Sequence, residues 1–262
     1  MQYKTIIKTI YQLLKTDLFK FFKNTFVSDV FNKSIWITCS IAIANYIWPN
    51  IGMSESFGSF MAIGAIVSCI YWDCWGVSVQ FIADLEGNNT TQYYLSLPIP
   101  AAWYFVKQAL FYAIRALIPA VCILPLIKII LWHKLSLAHV QFLPFALVMI
   151  TTSFFGAALS LFVTSRVRDM NSIDNISIRF LFPLWFFGGS QFSWYTLLNI
   201  SPLFAKLCLL NPLLYAMESI RVVFLGQEGY LPFWTSIGVL WLFNLVIGIY
   251  GARSLIKRLD CV

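Results

Sequence analysis

The residues of this chain with the most chemical promise are the few charges set inside long apolar runs. Asp73 lies between Trp72 and Cys74, and Arg115 interrupts a second run of the same kind. A charge at membrane depth is costly, so it is normally paired or part of a transport path. Glu218 and Arg221 are three residues apart, which puts them on one helical face where they can pair. Asp84 and Glu86 close the Asp73 run and lead into a polar stretch. What is missing sets limits. There is no G-x-x-x-x-G-K-[ST] loop to hold ATP. There is no G-x-S-x-G, no H-E-x-x-H and no arguable Ser/His/Asp set. His133 and His139 have no carboxylate or Cys at ligand spacing. The six cysteines are scattered and read as small buried apolar side chains. The chain is therefore expected to carry no catalytic residue, no bound cofactor and no metal.

The elements that must position these charges are long and apolar. Six stretches, near residues 32–49, 57–83, 105–131, 140–163, 178–199 and 232–252, approach or exceed the roughly 18–20 apolar residues that span a hydrocarbon core of about 30 Å. Apolar residues are 60% of the chain and charged ones 11%, against about 25% charged in an average soluble domain. A β-barrel alternates apolar and polar positions, whereas residues 140–158 are apolar on every side. With no loop much longer than about 30 residues, the whole of 1–262 reads as one membrane domain. The expected fold is an all-α integral membrane protein with six transmembrane helices.

A net charge of +7 raises the question of nucleic acid. In a membrane protein it reads instead as Lys and Arg retained in cytoplasmic loops. With the N-terminus inside, thirteen basic residues fall on the cytoplasmic side: Lys4, Lys8, Lys15, Lys20, Lys23, Lys33, Lys107, Arg166, Arg168, Arg179, Arg253, Lys257 and Arg258. Three, Lys134, Lys206 and Arg221, fall outside. Both termini are expected in the cytoplasm. Residues 3–23 carry Lys too often to span. Ile6, Ile7, Ile10, Leu13, Leu14 and Phe21 form one stripe with Lys4, Lys8 and Lys15 opposite. That pattern predicts a helix lying in the membrane interface.

Residues 84–100 form a loop longer than a plain turn requires. It is polar, then amphipathic, then closed by Pro98 and Pro100, which end any helix before them. Trp103, Tyr104 and Lys107 follow at headgroup level. Near the other end, Gly188 and Gly189 permit close packing or a break. Residues 192–210 are too interrupted to span and read as an outer re-entrant or interfacial excursion. Asn211 suits a helix N-cap and Pro212 the first turn after it.

These two regions carry a resemblance. Glu86, Thr90, Leu95, Pro98 and Lys107 resemble the region between the second and third spans of ABC-2 type permeases, with Asn89 where that family usually has Gly. Asn211, Pro212, Tyr215, Glu218 and Arg221 match the family's N-P-x-x-Y-x-x-E-x-x-R segment before the last span, all at their spacing. The resemblance covers about residues 5–255 and is weakest in the first span. It implies a transmembrane subunit of a bacterial exporter in the cytoplasmic membrane, working as a homodimer or beside a related permease. It also implies two cytoplasmic ATPase subunits that hold ATP and Mg, and an amphipathic, lipid-like, drug or glycan substrate. Asp84, Glu86, Thr90, Thr91 and Pro98 are then the candidates for coupling to the ATPase.

Two rival classes remain on the residues alone. An ion-coupled secondary transporter or channel would use Asp73, Arg115 and Glu218, but predicts an internal repeat that the sequence does not display. A membrane-embedded enzyme would need a catalytic set that is not there.

Overall fold

The computed structural model describes residues 2–54, 56–88, 90–97, 99–132 and 140–259, which are helical with no strand among them. Pro98, Asn89, His133, Lys134, His139 and Cys261 lie outside the described residues.

Helix α1 (Gln2–Asn24) meets α2 (Phe26–Ala42) at Thr25, whose φ of −121° interrupts the helical backbone. The chain leaves α2 through a π segment, Ile43–Ile47, and a 3-10 turn, Trp48–Ile51, that contains Pro49. Helix α3 (Phe57–Ala83) continues as a π segment, Asp84–Asn88, before the short α4 (Thr90–Ser96). Then α5 (Ala101–Cys122) runs on into α6 (Leu124–Ile130), and α7 (Phe142–Arg166) follows. Helix α8 (Met170–Ile176) passes through the π segment Ser177–Leu181 into α9 (Phe182–Phe186). Two short helices, α10 (Trp194–Ile200) and α11 (Pro202–Cys208), precede α12 (Pro212–Leu225) and the long α13 (Phe233–Leu259).

Four of these stretches are long and apolar enough to cross a membrane: Phe57–Gly87, Ala101–Ile130, Phe142–Arg166 and Phe233–Leu259. They correspond to the second, third, fourth and sixth apolar stretches of the sequence. The first and fifth differ from a simple rod. The first is diluted by Asn32, Lys33 and Asn45, and loses α geometry after Ala42. The fifth is cut at Gly188 and Gly189. Gly189 has φ +77°, a left-handed conformation that glycine adopts without steric cost. A Cβ on Gly188 would stand 2.7 Å from the Leu213 side chain and 2.8 Å from the Leu184 carbonyl. The break is thus the seat for α12. Helices α11 and α12 meet at an angle of 95°.

Helices α3 and α7 are central, and α13 is peripheral. Trp234, Leu242, Leu245, Val246 and Ile249 of α13 are exposed, an apolar face that suits lipid. Its inner face packs along α7. At Gly251 the backbones nearly touch, since a Cβ there would lie 2.7 Å from the Phe162 nitrogen. Small residues permit such an approach between apolar helices, where dispersion contacts supply the attraction. Gly251→Val is expected to force α7 and α13 apart at a cost of about 1–3 kcal/mol. The check is the melting temperature of the purified chain in detergent, which should fall, whereas Gly238→Val, at a site with open space, should leave it unchanged.

Candidate functional site

Three polar centres stand out in a mainly apolar bundle. The first lies where α3 ends and α5 begins. Asp84 accepts hydrogen bonds from the backbone N–H groups of Thr90 at 3.0 Å and Thr91 at 2.8 Å. A helix start leaves its first N–H groups without intrahelical partners, and this carboxylate satisfies two of them for α4. Lys107 on α5 is about 1% exposed and is paired with Asp17 of α1 at 2.5 Å. Its ammonium also lies 5.4 Å from the Tyr94 ring centre and 5.0 Å from that of Tyr104, within the range of cation–π attraction. Burial, with the nearby charges of Asp17 and Asp84 adding to it, pushes the Tyr94 hydroxyl up in pKa. A cavity of about 360 Å³ separates these elements, lined by Asp17, Lys20, Asp84, Tyr94, Gln108 and Arg115 among others. Glu86 is exposed. Helices α1, α4 and the start of α5 are therefore fastened into one block.

The second centre is a chain of charges across α2, α3 and α5. Lys33 donates to Asp29 at 2.8 Å and to Asp73 at 3.0 Å. Arg115 Nε stands 3.4 Å from the other Asp73 oxygen, and its Nη1 donates to Gln80. The two intramembrane candidates of the sequence, Asp73 and Arg115, thus meet each other. Asp29 and Lys33 complete the group, which is neutral as a whole. Pairing removes most of the cost of holding ions away from water.

The third centre surrounds α12. Asn211 caps the helix, its side-chain oxygen accepting from the Leu213 N–H at 3.0 Å, and its amide donates to the Leu184 carbonyl at 2.7 Å. Pro212 occupies the first turn, where its missing N–H costs nothing. Tyr215 donates to the Leu209 carbonyl at 2.9 Å, closing the turn between α11 and α12. Glu218 and Arg221 are fully buried, yet only 4.0 Å apart at their nearest, the limit of an ion pair. Their main partners are backbone groups. Glu218 accepts from the Trp194 N–H at 3.1 Å and the Leu231 N–H at 3.0 Å. Arg221 donates to the carbonyls of Gly189, Ser190 and Phe192 at 2.6, 3.1 and 3.3 Å. Its guanidinium also lies 3.5 Å from the Phe60 ring centre. Arg221 satisfies carbonyls that the break at 187–193 leaves without helical partners, and Glu218 satisfies the N–H groups of Trp194, where α10 begins, and Leu231, just before α13, a requirement wherever water is absent. Asn211→Ala should lower stability by about 1 kcal/mol through loss of the cap, read as an earlier thermal transition in detergent. Asn211→Ser keeps a capping oxygen without setting a carboxylate against the Leu184 carbonyl, and should recover part of the loss.

The five residues of the N-P-x-x-Y-x-x-E-x-x-R pattern are brought together, all buried on or at the start of one helix. Asp84, Thr90 and Thr91 are brought together as well, while Glu86 is exposed. Three participants escaped the sequence reading. Asp17 is the sole acid on a Lys-rich helix, and Asp29 with Lys33 has i,i+4 spacing, so both signals were present. Gln80, a helix away from Arg115, gave none. Among the described residues no group of three His, Cys, Asp or Glu side chains is placed to hold a metal ion. Four long apolar helices with paired buried charges suit a multi-pass membrane protein. Comparison with known protein families and with curated proteins gave no match to this chain.

Proposed function

We propose that this chain is the transmembrane permease subunit of an ABC-2 type exporter, with ATP and Mg held by two separate cytoplasmic ATPase subunits. In this reading the chain crosses the bacterial inner membrane six times with both termini inside. The helix from Phe26 to Ile51 makes the first crossing, and the interrupted stretch from Met170 to Phe186 the fifth. The bent segment through α10, α11 and α12 is the outer re-entrant element before the last crossing. A second copy of the chain, or a related permease, completes the path for an amphipathic, lipid-like, drug or glycan substrate.

The observation that carries the reading is the centre around α12. The N-P-x-x-Y-x-x-E-x-x-R residues are all buried, and they hold a broken helical segment in place immediately before the last long helix. The block of α1, α4 and α5 supports the same reading from the other end. A movement imposed on α4 reaches α5 through Lys107 and α1 through Asp17, which is what transmission from a nucleotide-driven partner needs. Asp73 and Arg115 are engaged with each other and with Lys33 and Gln80, which weakens the case for a free proton or ion carrier at that position. The test is a mild-detergent purification of the tagged chain from its own cells. A stoichiometric subunit carrying G-x-x-x-x-G-K-[ST], and ATP hydrolysis that follows the tag, is the expected result. A chain that elutes alone and drives flux in liposomes without ATP overturns the reading.

A further inference from the structure

The charges that join α2 to α3 and α5 divide into two neutral halves along the helix boundary. On α2, Lys33 and Asp29 are paired at 2.8 Å within a single helix. Across α3 and α5, Asp73 and Arg115 are paired at 3.4 Å, with Gln80 as a further partner of Arg115. The contact between the halves is one ion pair, Lys33 to Asp73 at 3.0 Å. If α2 moves away, neither side is left with an unpaired charge. That matters because a lone ion facing hydrocarbon costs far more than a separated pair of neutral couples.

Three other features isolate α2 as a movable rod. Its backbone is irregular at both ends, at Thr25 and through the π and 3-10 turns from Ile43 to Ile51. Of its own residues only Ile37 and Ile41 are buried, while Val27, Phe31, Ile35 and Trp36 are exposed and apolar. Its outer surface therefore suits lipid. The cavity of about 360 Å³ reaches from Thr25, at the foot of α2, to Arg115 at the charge chain.

We propose that α2 is a lateral gate: it swings away from α3 and α5 along this seam, the Lys33–Asp73 contact parts, and the seam opens to the surrounding bilayer at the Arg115 end of the cavity. Two discrete arrangements of one packed element are what such switching requires. The proposal does not depend on the exporter reading, since it needs only a chain that sits in a membrane.

The partition makes an unusual prediction. Asp29 lies away from the seam contact, yet Asp29→Asn should hold the gate shut, because Lys33 then has no partner but Asp73. Removing both α2 charges, with Asp29→Asn and Lys33→Gln together, should favour the open arrangement, because no ion pair then crosses the seam and only the apolar contacts of Ile37 and Ile41 hold it. Spin labels at Ile35→Cys on α2 and Ile150→Cys on α7, both half-exposed, report the separation in liposomes. The native cysteines are replaced first, and labelled chain is diluted with unlabelled chain. Two distances are expected in the otherwise unaltered charge chain. The longer should fall at least tenfold in population with Asp29→Asn and become the major one in the double variant. One distance in all three proteins, or a longer population unmoved by Asp29→Asn, overturns the gate and leaves the charges as a fixed brace.

Discussion

Replacing Arg221 by Leu is expected to abolish the folded protein. Three carbonyls, those of Gly189, Ser190 and Phe192, lose their donor, and Glu218 is left as a buried carboxylate without the Arg221 cation beside it. Removing one partner of a buried ion pair costs about 3–5 kcal/mol, which is a large share of the 5–15 kcal/mol that holds a typical domain together. The measurement is size-exclusion chromatography of the detergent-solubilised chain, where the monodisperse peak should disappear. Arg221→Lys should recover less than half of it. A single ammonium cannot reproduce a planar fork that reaches three acceptors and stacks on Phe60. If Arg221→Lys behaves like the native chain, the role assigned to the guanidinium is wrong and only its charge matters. Gly64 belongs to the same site, because a Cβ there would stand 2.9 Å from Arg221 Nη2.

The second large effect is expected at Asp17. Asp17→Ala leaves Lys107 buried without its counter-ion, again at a cost of about 3–5 kcal/mol. The damage should begin locally. Helix α1 should come loose from α5 and become open to proteolysis near Lys15 and Lys20 before the bundle itself unfolds. The double variant Asp17→Ala with Lys107→Met should regain most of the stability, since replacing a buried ion pair by apolar groups is often close to neutral. It should not regain coupling to a nucleotide-driven partner if the tie between α1 and α5 is what carries movement. Limited proteolysis and thermal melting separate the two effects. A single variant as stable as the native chain would mean that Lys107 is satisfied by Tyr94 and Tyr104 alone.

Much of this arrangement could be read from residue order, and the exceptions have identifiable causes. Asn211, Pro212 and the Glu218/Arg221 spacing announced a capped helix with an internal charge pair. The cap is there, but the charges turn to backbone groups instead of meeting closely. The reason is the break at Gly188 and Gly189, which exposes carbonyls and N–H groups that demand partners. A linear sequence shows the glycines without showing which distant backbone they will leave unpaired. Asp73 and Arg115 were visible as intramembrane charges; their mutual pairing depends on helix packing that no local spacing encodes. Asp17 and Lys107 are 90 residues apart, and only the fold brings α1 against α5. The first and fifth apolar stretches were legible as hydrophobic but not as irregular, because π and 3-10 segments carry little signal beyond Pro49 and the paired glycines.

Engagement of the block of α1, α4 and α5 by a cytoplasmic ATPase, as proposed above, is tested by site-specific photocrosslinking in intact cells. A photoreactive residue at Tyr93, which is exposed on α4, is compared with one at Trp234, exposed at the start of α13 near the opposite end. Tyr93 is expected to capture a subunit bearing G-x-x-x-x-G-K-[ST], and Trp234 is not. Capture of that subunit from neither position, or from Trp234 alone, would contradict that engagement.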